Sequence, residues 1–163
     1  MIYAQLQSLN DVYHTNSQLQ SMWANRYQLL RRWTGGQGRC VFIGLNPSTA
    51  DVLADDPTIR RCMAFAQDWG YEEMVMVNLF AFRTPHPTLL KAALHPTGRQ
   101  NRRALHRACR SADHIVAAWG NHGTFQNQAS KMASVWAELP VYCFGMTKAI
   151  SPCTPYINHA QRT

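Results

Sequence analysis

Short apolar runs that end in polar loops recur along this chain. Three of them, at residues 41–45, 74–77 and 115–119, each lead into a loop that contains an asparagine. Apolar runs of this length between loops are typical of buried strands, and parallel strands present their carboxyl ends at one shared edge. A further short run at residues 141–144 predicts a fourth strand. The pattern therefore predicts an α/β domain with a central, mostly parallel, four-stranded sheet.

Helix signals occupy the segments between these runs. Asp56 followed by Pro57 predicts an N-cap and a first helical position, and Gly70 predicts where that helix ends. The apolar positions that recur at helical spacing inside it are Ile59, Met63, Ala66 and Trp69. Further helices are predicted at residues 101–110 and 125–138.

Other segments carry weaker patterns. Residues 84–98 contain several prolines and predict a long surface loop with at most a short helix at 89–94. Residues 26–33 fit either the end of a helix or a first strand. Residues 1–25 show no decisive pattern, so the prediction is a single α/β domain at 26–163 after a poorly determined N-terminal segment.

Composition narrows the class of protein. Of the 163 residues, 46% are hydrophobic and 15% are charged, which is typical of a folded globule. No apolar run approaches the ~20 residues that cross a bilayer, so we expect a cytoplasmic protein without a membrane partner. The net charge of +7, with arginines clustered at 60–61 and 99–110, favours DNA or a nucleotide as the partner. Solvated helix faces are the alternative explanation.

The five cysteines lack the spacing of a zinc site. Cys40 and Cys143 lie at or in apolar runs and are predicted to be small core residues. Cys153 lies in a polar, proline-rich loop where a free thiol could be accessible.

The loop after the first run carries the most informative chemistry. Gly44 lets the backbone approach a ligand closely, and Pro47 restrains Asn46 to an extended conformation. Asn78 follows the second run in the same way. Because parallel strands end at one edge, Asn46 and Asn78 are predicted to face one cavity.

The order of these motifs resembles the uracil-DNA glycosylase superfamily, especially its mismatch-specific branch. The first motif is Gly44-Leu45-Asn46-Pro47-Ser48, and Asn78, Trp119-Gly120 and the loop at 151–155 are similar to the later ones. The resemblance implies a three-layer α/β/α sandwich and a DNA glycosylase that needs no cofactor or metal. Two positions depart from the pattern: Asn46 stands where efficient uracil enzymes have Asp, and Ser151 where the superfamily has His or Asn.

A second resemblance covers more of the chain. From about Arg26 to Tyr156 it is similar to a bacterial and phage domain family of unknown function. The motifs that mark it are GLNPSTAD, DPTIRR, WGY, VNLFAFR, AAWG and GxTK.

The glycosylase resemblance implies three groups of site residues. The predicted catalytic residues are Asn46, Asp51, Asp55 and His122. The predicted base-binding residues are Gly44, Leu45, Pro47, Ser48, Asn78, Phe80 and Phe82. Those predicted to contact the nucleic-acid backbone are Arg60, Arg61, Arg83, Thr147, Lys148 and Ser151.

Each assignment has a structural alternative. Asn46 and Asn78 could bond to loop backbones, as asparagine commonly does. Ser48 with Asp51 fits a helix-capping box, and the two phenylalanines could be core residues. At the level of function, the alternatives are a transferase or nucleotide enzyme acting on a modified pyrimidine and a non-catalytic reader of DNA bases.

Overall fold

The computed structural model describes residues 25–48 and 55–146. These residues form a five-stranded sheet. Its strands are β1 (Leu29–Arg32), β2 (Arg39–Gly44), β3 (Glu73–Asn78), β4 (His114–Ala117) and β5 (Val141–Cys143). They lie in the order β1-β3-β2-β4-β5, with β1 antiparallel to β3 and every other pair parallel. The chain is thus a mixed α/β protein with a mostly parallel sheet, as predicted.

The prediction of four strands is wrong, because β1 is a fifth. It lies at the sheet edge, where Leu29 pairs with Met76 and Arg32 with Glu73. Its inward positions are Leu29 and Arg31, and Arg31 is only 4% exposed. A charged residue at an inward position interrupts the apolar alternation, which is why the sequence pattern left this segment undecided between helix and strand.

Four α-helices lie in the described residues: α1 (Pro57–Asp68), α2 (Pro87–Ala92), α3 (Asn101–Arg110) and α4 (Gln128–Met132). The Asp56 side chain accepts a hydrogen bond from the Ile59 backbone N–H at 2.9 Å, which confirms the predicted N-cap. The predicted bounds of α3 are also confirmed. In the part of the chain that the structure describes, no helix combines the length and apolar character needed to span a membrane.

The continuous helix predicted at 125–138 is wrong. That region holds a 3₁₀-helix at Asn121–Asn127, the short α4, and a second 3₁₀-helix at Ala133–Val135. Gln126 and Asn127 adopt φ values of 53° and 52°. An α-helix cannot continue through left-handed residues, so the segment breaks there.

Apolar side chains fill the space on both faces of the sheet. Val41 and Ile43 of β2 join one core cluster with residues of α2 and α3. Cys40 and Phe42 join the other, which packs against α1. Helices therefore cover both faces, and the carboxyl ends of the parallel strands remain as the edge where polar side chains gather.

Two residues predicted to be in the core are not buried. Trp69 is 43% exposed because α1 ends at Asp68 and the tryptophan occupies the C-cap. Cys143 is exposed because it lies on the terminal strand β5. Cys40 is buried as predicted, and burial raises the pKa of its thiol to about 12. Cys153 lies outside the described residues.

Candidate functional site

A cavity of about 190 Å³ lies at the carboxyl ends of three neighbouring strands. Gly44 of β2, Asn78 of β3 and Ala118 just after β4 line it, together with the loop 45–48 and the first turn of α1. Pockets for drug-sized ligands hold ~300–1,000 Å³. At roughly 30 Å³ of liquid per water molecule, this cavity corresponds to about six waters. It matches a single small ring system better than a whole nucleotide.

Asn78 is the last residue of β3 and pairs in register with Gly44. It is 4% exposed and lines the cavity. Within the described residues, its side-chain amide has no hydrogen-bond partner. A Cβ at position 44 would lie 2.6 Å from Asn78 Oδ1, so only glycine leaves room for the amide where it stands.

Asn46 lines the same cavity, so the structure brings the two predicted amides together. Its Nδ2, however, donates to backbone carbonyls of both flanking loops: Pro47 at 3.1 Å, Phe82 at 3.3 Å and Thr84 at 2.7 Å. The Thr84 N–H donates back to the Pro47 carbonyl at 2.8 Å. The amide nitrogen of Asn46 thus ties the loop after β2 to the loop after β3, which is the structural alternative raised for it.

The described carboxylates near the cavity are both engaged. Asp55 Oδ1 accepts from Nε and one terminal nitrogen of Arg31, at 2.9 and 2.7 Å, and Asp55 does not line the cavity. Its charge is therefore paired with a buried guanidinium. Asp56 does line the cavity, but its side chain caps α1 at the Ile59 N–H.

Of the predicted base-binding and catalytic residues, Phe80, Phe82 and His122 do not line the cavity. Phe80 is 0% exposed, and its ring centroid lies 5.4 Å from that of Phe125 in the core. Leu79 and Phe80 both join that core cluster, so strand alternation is lost after Asn78 and Phe80 is not available to a base. Phe82 is half-buried against the same cluster. His122 is exposed on the 3₁₀-helix Asn121–Asn127.

The three arginines predicted to contact the nucleic-acid backbone differ in burial and in their bonding partners. Arg60 is exposed on α1 and donates to the Asp55 carbonyl at 2.6 Å. Arg61 is half-buried, with its guanidinium carbon 5.2 Å from the centre of the Phe65 ring. Arg83 Nε donates to the Ser48 carbonyl at 3.1 Å, which braces the loop that lines the cavity.

Six residues that line the cavity were not predicted as site residues. They are Arg26, Asp56, Thr58, Ile59, Met76 and Ala118. The Arg26 N–H donates to the Ala81 carbonyl at 2.8 Å, which brings the start of the domain beside the loop after β3. This is a long-range contact without a local signal. Thr58 lies two residues after the N-cap Asp56, in the first turn of α1. The sequence pattern that predicts the start of this helix could therefore have indicated it.

Four predicted site residues lie outside the described residues: Asp51, Thr147, Lys148 and Ser151. Across residues 25–48 and 55–146, no three His, Cys, Asp or Glu side chains form a group that could hold a metal ion.

Comparison with known proteins gives one family. No curated protein matches the chain, and neither does any solved structure. One family model matches residues 26–156, which span the described sheet and the cavity at its edge. By that match, the chain belongs to the DUF1643 family, described as a protein of unknown function.

Proposed function

We propose that this protein recognises a base extruded from DNA, natural or modified, and hydrolyses its N-glycosidic bond. The proposal includes the finer architecture implied by the glycosylase resemblance, a three-layer α/β/α sandwich of the uracil-DNA glycosylase kind. One observation carries it: the buried amide of Asn78 lines a cavity of single-ring size and has no hydrogen-bond partner among the described residues.

An amide in this position favours a ligand with a hydrogen-bonding edge. The side-chain amide of Asn78 opens onto the cavity. A nucleobase suits this amide because it presents a donor and an acceptor side by side, and the Asn side chain offers the complementary pair. Enzymes that act on a base in DNA lift it from the stack into a pocket of this kind.

The basic character of the chain supports a polyanionic substrate. The charged residues that line the cavity are Arg26 and Asp56, and Arg60 is exposed in the first turn of α1. The net charge of +7 adds a general attraction to phosphates. A base held at the edge of the sheet would therefore have its backbone close to positive charge.

The reaction itself is a hydrolysis. Water adds to C1′ of the sugar, and the C1′–N bond breaks with its electron pair going to the base, which is released together with a proton. An abasic site remains. Asp51 is the carboxylate we assign as base, since Asp55 is paired with Arg31.

The test is a product assay on duplexes that carry uracil opposite guanine, thymine opposite guanine, or hydroxymethyluracil. We expect alkali-labile abasic sites with at least one of these bases, and their loss in Asp51→Ala. Asn78→Ala should reduce base preference more than overall affinity. Asn121→Ala is the matched control, because Asn121 is exposed and does not line the cavity.

A second candidate is a base reader without hydrolytic activity. The observation that favours it is the engagement of Asn46 Nδ2 and the Asp55 carboxylate by structural partners. A reader would bind duplexes with a base preference that Asn78→Ala removes and would leave every glycosidic bond intact. Affinity that does not fall with salt would contradict both candidates, because phosphate contacts release counterions.

A further inference from the structure

The backbone on the carboxyl side of Asn78 is held by a second, fully buried asparagine. Asn101 is the first residue of α3 and is 0% exposed. Its Nδ2 donates to the carbonyl of Asn78 at 2.9 Å and to the carbonyl of Leu79 at 2.9 Å. A side chain from a helix thus fixes the end of a strand that carries a candidate binding group.

The peptide group between Asn78 and Leu79 is held at both ends. Its carbonyl accepts from Asn101, and its N–H donates to the Gly44 carbonyl at 3.0 Å. A peptide group fixed in this way sets the direction of the preceding Cα–Cβ bond. The Asn78 amide therefore depends on Asn101 for its position at the cavity wall.

The next peptide group has a different support. The Leu79 carbonyl accepts from Asn101 and also from Gln128 Nε2 at 2.9 Å, and Gln128 is 3% exposed. Gln128 donates to this second carbonyl and makes no such bond to that of Asn78. Asn101 therefore bonds the backbone of Asn78, which lines the cavity, whereas Gln128 bonds only that of Leu79.

Packing alone does not explain why a buried asparagine stands at position 101. Its Oδ1 is buried and has no hydrogen-bond partner within the described residues. An unpaired buried acceptor destabilises a fold, and most such groups in proteins are paired. Its two donated hydrogen bonds are what the amide at this position supplies to the strand end.

We infer that Asn101 is a positioning residue for base recognition and acts through the Asn78 backbone. This inference rests on the proposed function, because it assigns Asn101 a role in that same cavity. Recognition groups must be held to within about 0.5 Å of their working geometry, and a supporting hydrogen bond provides this. Loss of Asn101 should therefore reduce the discrimination between bases as well as stability.

The test compares Asn101→Ala with Gln128→Ala, two variants that each delete a buried amide. The readout is the ratio of affinities for the preferred modified duplex and for an unmodified duplex of the same sequence. We expect Asn101→Ala to lower this ratio about tenfold, less than the about 30-fold loss expected for Asn78→Ala, and Gln128→Ala to change it by less than about twofold. Equal losses in both variants, or an unchanged ratio in Asn101→Ala, would overturn the inference.

Two further measurements cover other outcomes. If Asn101→Ala does not fold, Asn101→Ser keeps one donor and should give an intermediate ratio; a wild-type ratio there counts against the inference. If the wild-type protein shows no base preference, the proposed function fails. Native-state hydrogen exchange of the Leu79 N–H then tests the positioning directly: faster exchange in Asn101→Ala than in Gln128→Ala supports it, and equal rates refute it.

Discussion

Substituting Gly44 with alanine tests whether the Asn78 amide is the recognition group. An ideal Cβ at position 44 would lie 2.6 Å from Asn78 Oδ1, whereas ordinary contact begins at 3.4 Å. The amide must therefore retreat by about 0.8 Å, the difference between these two distances. A hydrogen bond of about 2.9 Å lengthened by that amount is no longer a hydrogen bond.

The expected effect falls on binding rather than on folding. Losing a paired base contact costs about 2 kcal/mol, which is about 30-fold in affinity for the preferred base. The backbone itself is not strained, because Gly44 is not among the described glycines with positive φ. Alanine also lowers the entropy of the unfolded chain, so the free energy of unfolding should change by less than about 1 kcal/mol.

The assay combines urea unfolding with binding to duplexes that differ only in the target base. Asn78→Ala provides the reference, since Gly44→Ala should add little to it in the double variant, where the smaller side chain leaves room for the new Cβ. A Gly44→Ala protein with wild-type stability and wild-type base preference would refute the assignment of Asn78.

Three further predictions concern stability. The Glu73 side chain is 3% exposed and forms ion pairs with Arg32 and Arg39, whose side chains are 50% and 33% exposed, so Glu73→Gln should lower the free energy of unfolding by about 1 kcal/mol in urea titrations; a loss no larger than that of Glu72→Gln would contradict this. Asp56→Ala removes the α1 N-cap and should cost about 1 kcal/mol in the same titration, with no loss expected if the cap is dispensable. Burial lowers the pKa of His114 below its ordinary value. The unfolded chain then binds more protons than the folded chain below about pH 6.5, so the free energy of unfolding should fall as the pH drops through that value. The part of this fall that is due to His114 should be absent in His114→Phe. Identical profiles of stability against pH for His114→Phe and the wild type would show that His114 does not contribute to this pH dependence.

The aromatic surroundings of His114 explain why phenylalanine is the suitable replacement. The imidazole stacks on Tyr142 at a centroid distance of 4.5 Å and an interplanar angle of 8°. Phenylalanine keeps this ring contact and removes the titrating group. The difference between the two pH profiles therefore isolates one of the seven histidines in the chain.

Elements with local sequence signals could be predicted without the structure. The apolar runs gave the four parallel strands, and Asp56-Pro57 gave the start of α1, because capping and apolar periodicity act over a few neighbouring residues. The helix at Asn101–Arg110 followed from the same periodicity. Asn46 and Asn78 could be placed at one cavity because parallel strands share an edge.

The roles of the side chains at that edge depend on contacts between segments that are distant in sequence. Asn46 and Asp55 were each predicted as catalytic residues, but their side chains bond structural partners that lie up to 38 residues away in sequence. The burial of Phe80 and the support of the Asn78 backbone by Asn101 likewise depend on contacts between distant segments. A hydrogen-bond partner supplied by another segment leaves no trace in local periodicity, so the sequence could name the amides but not show which of them remains available to a ligand.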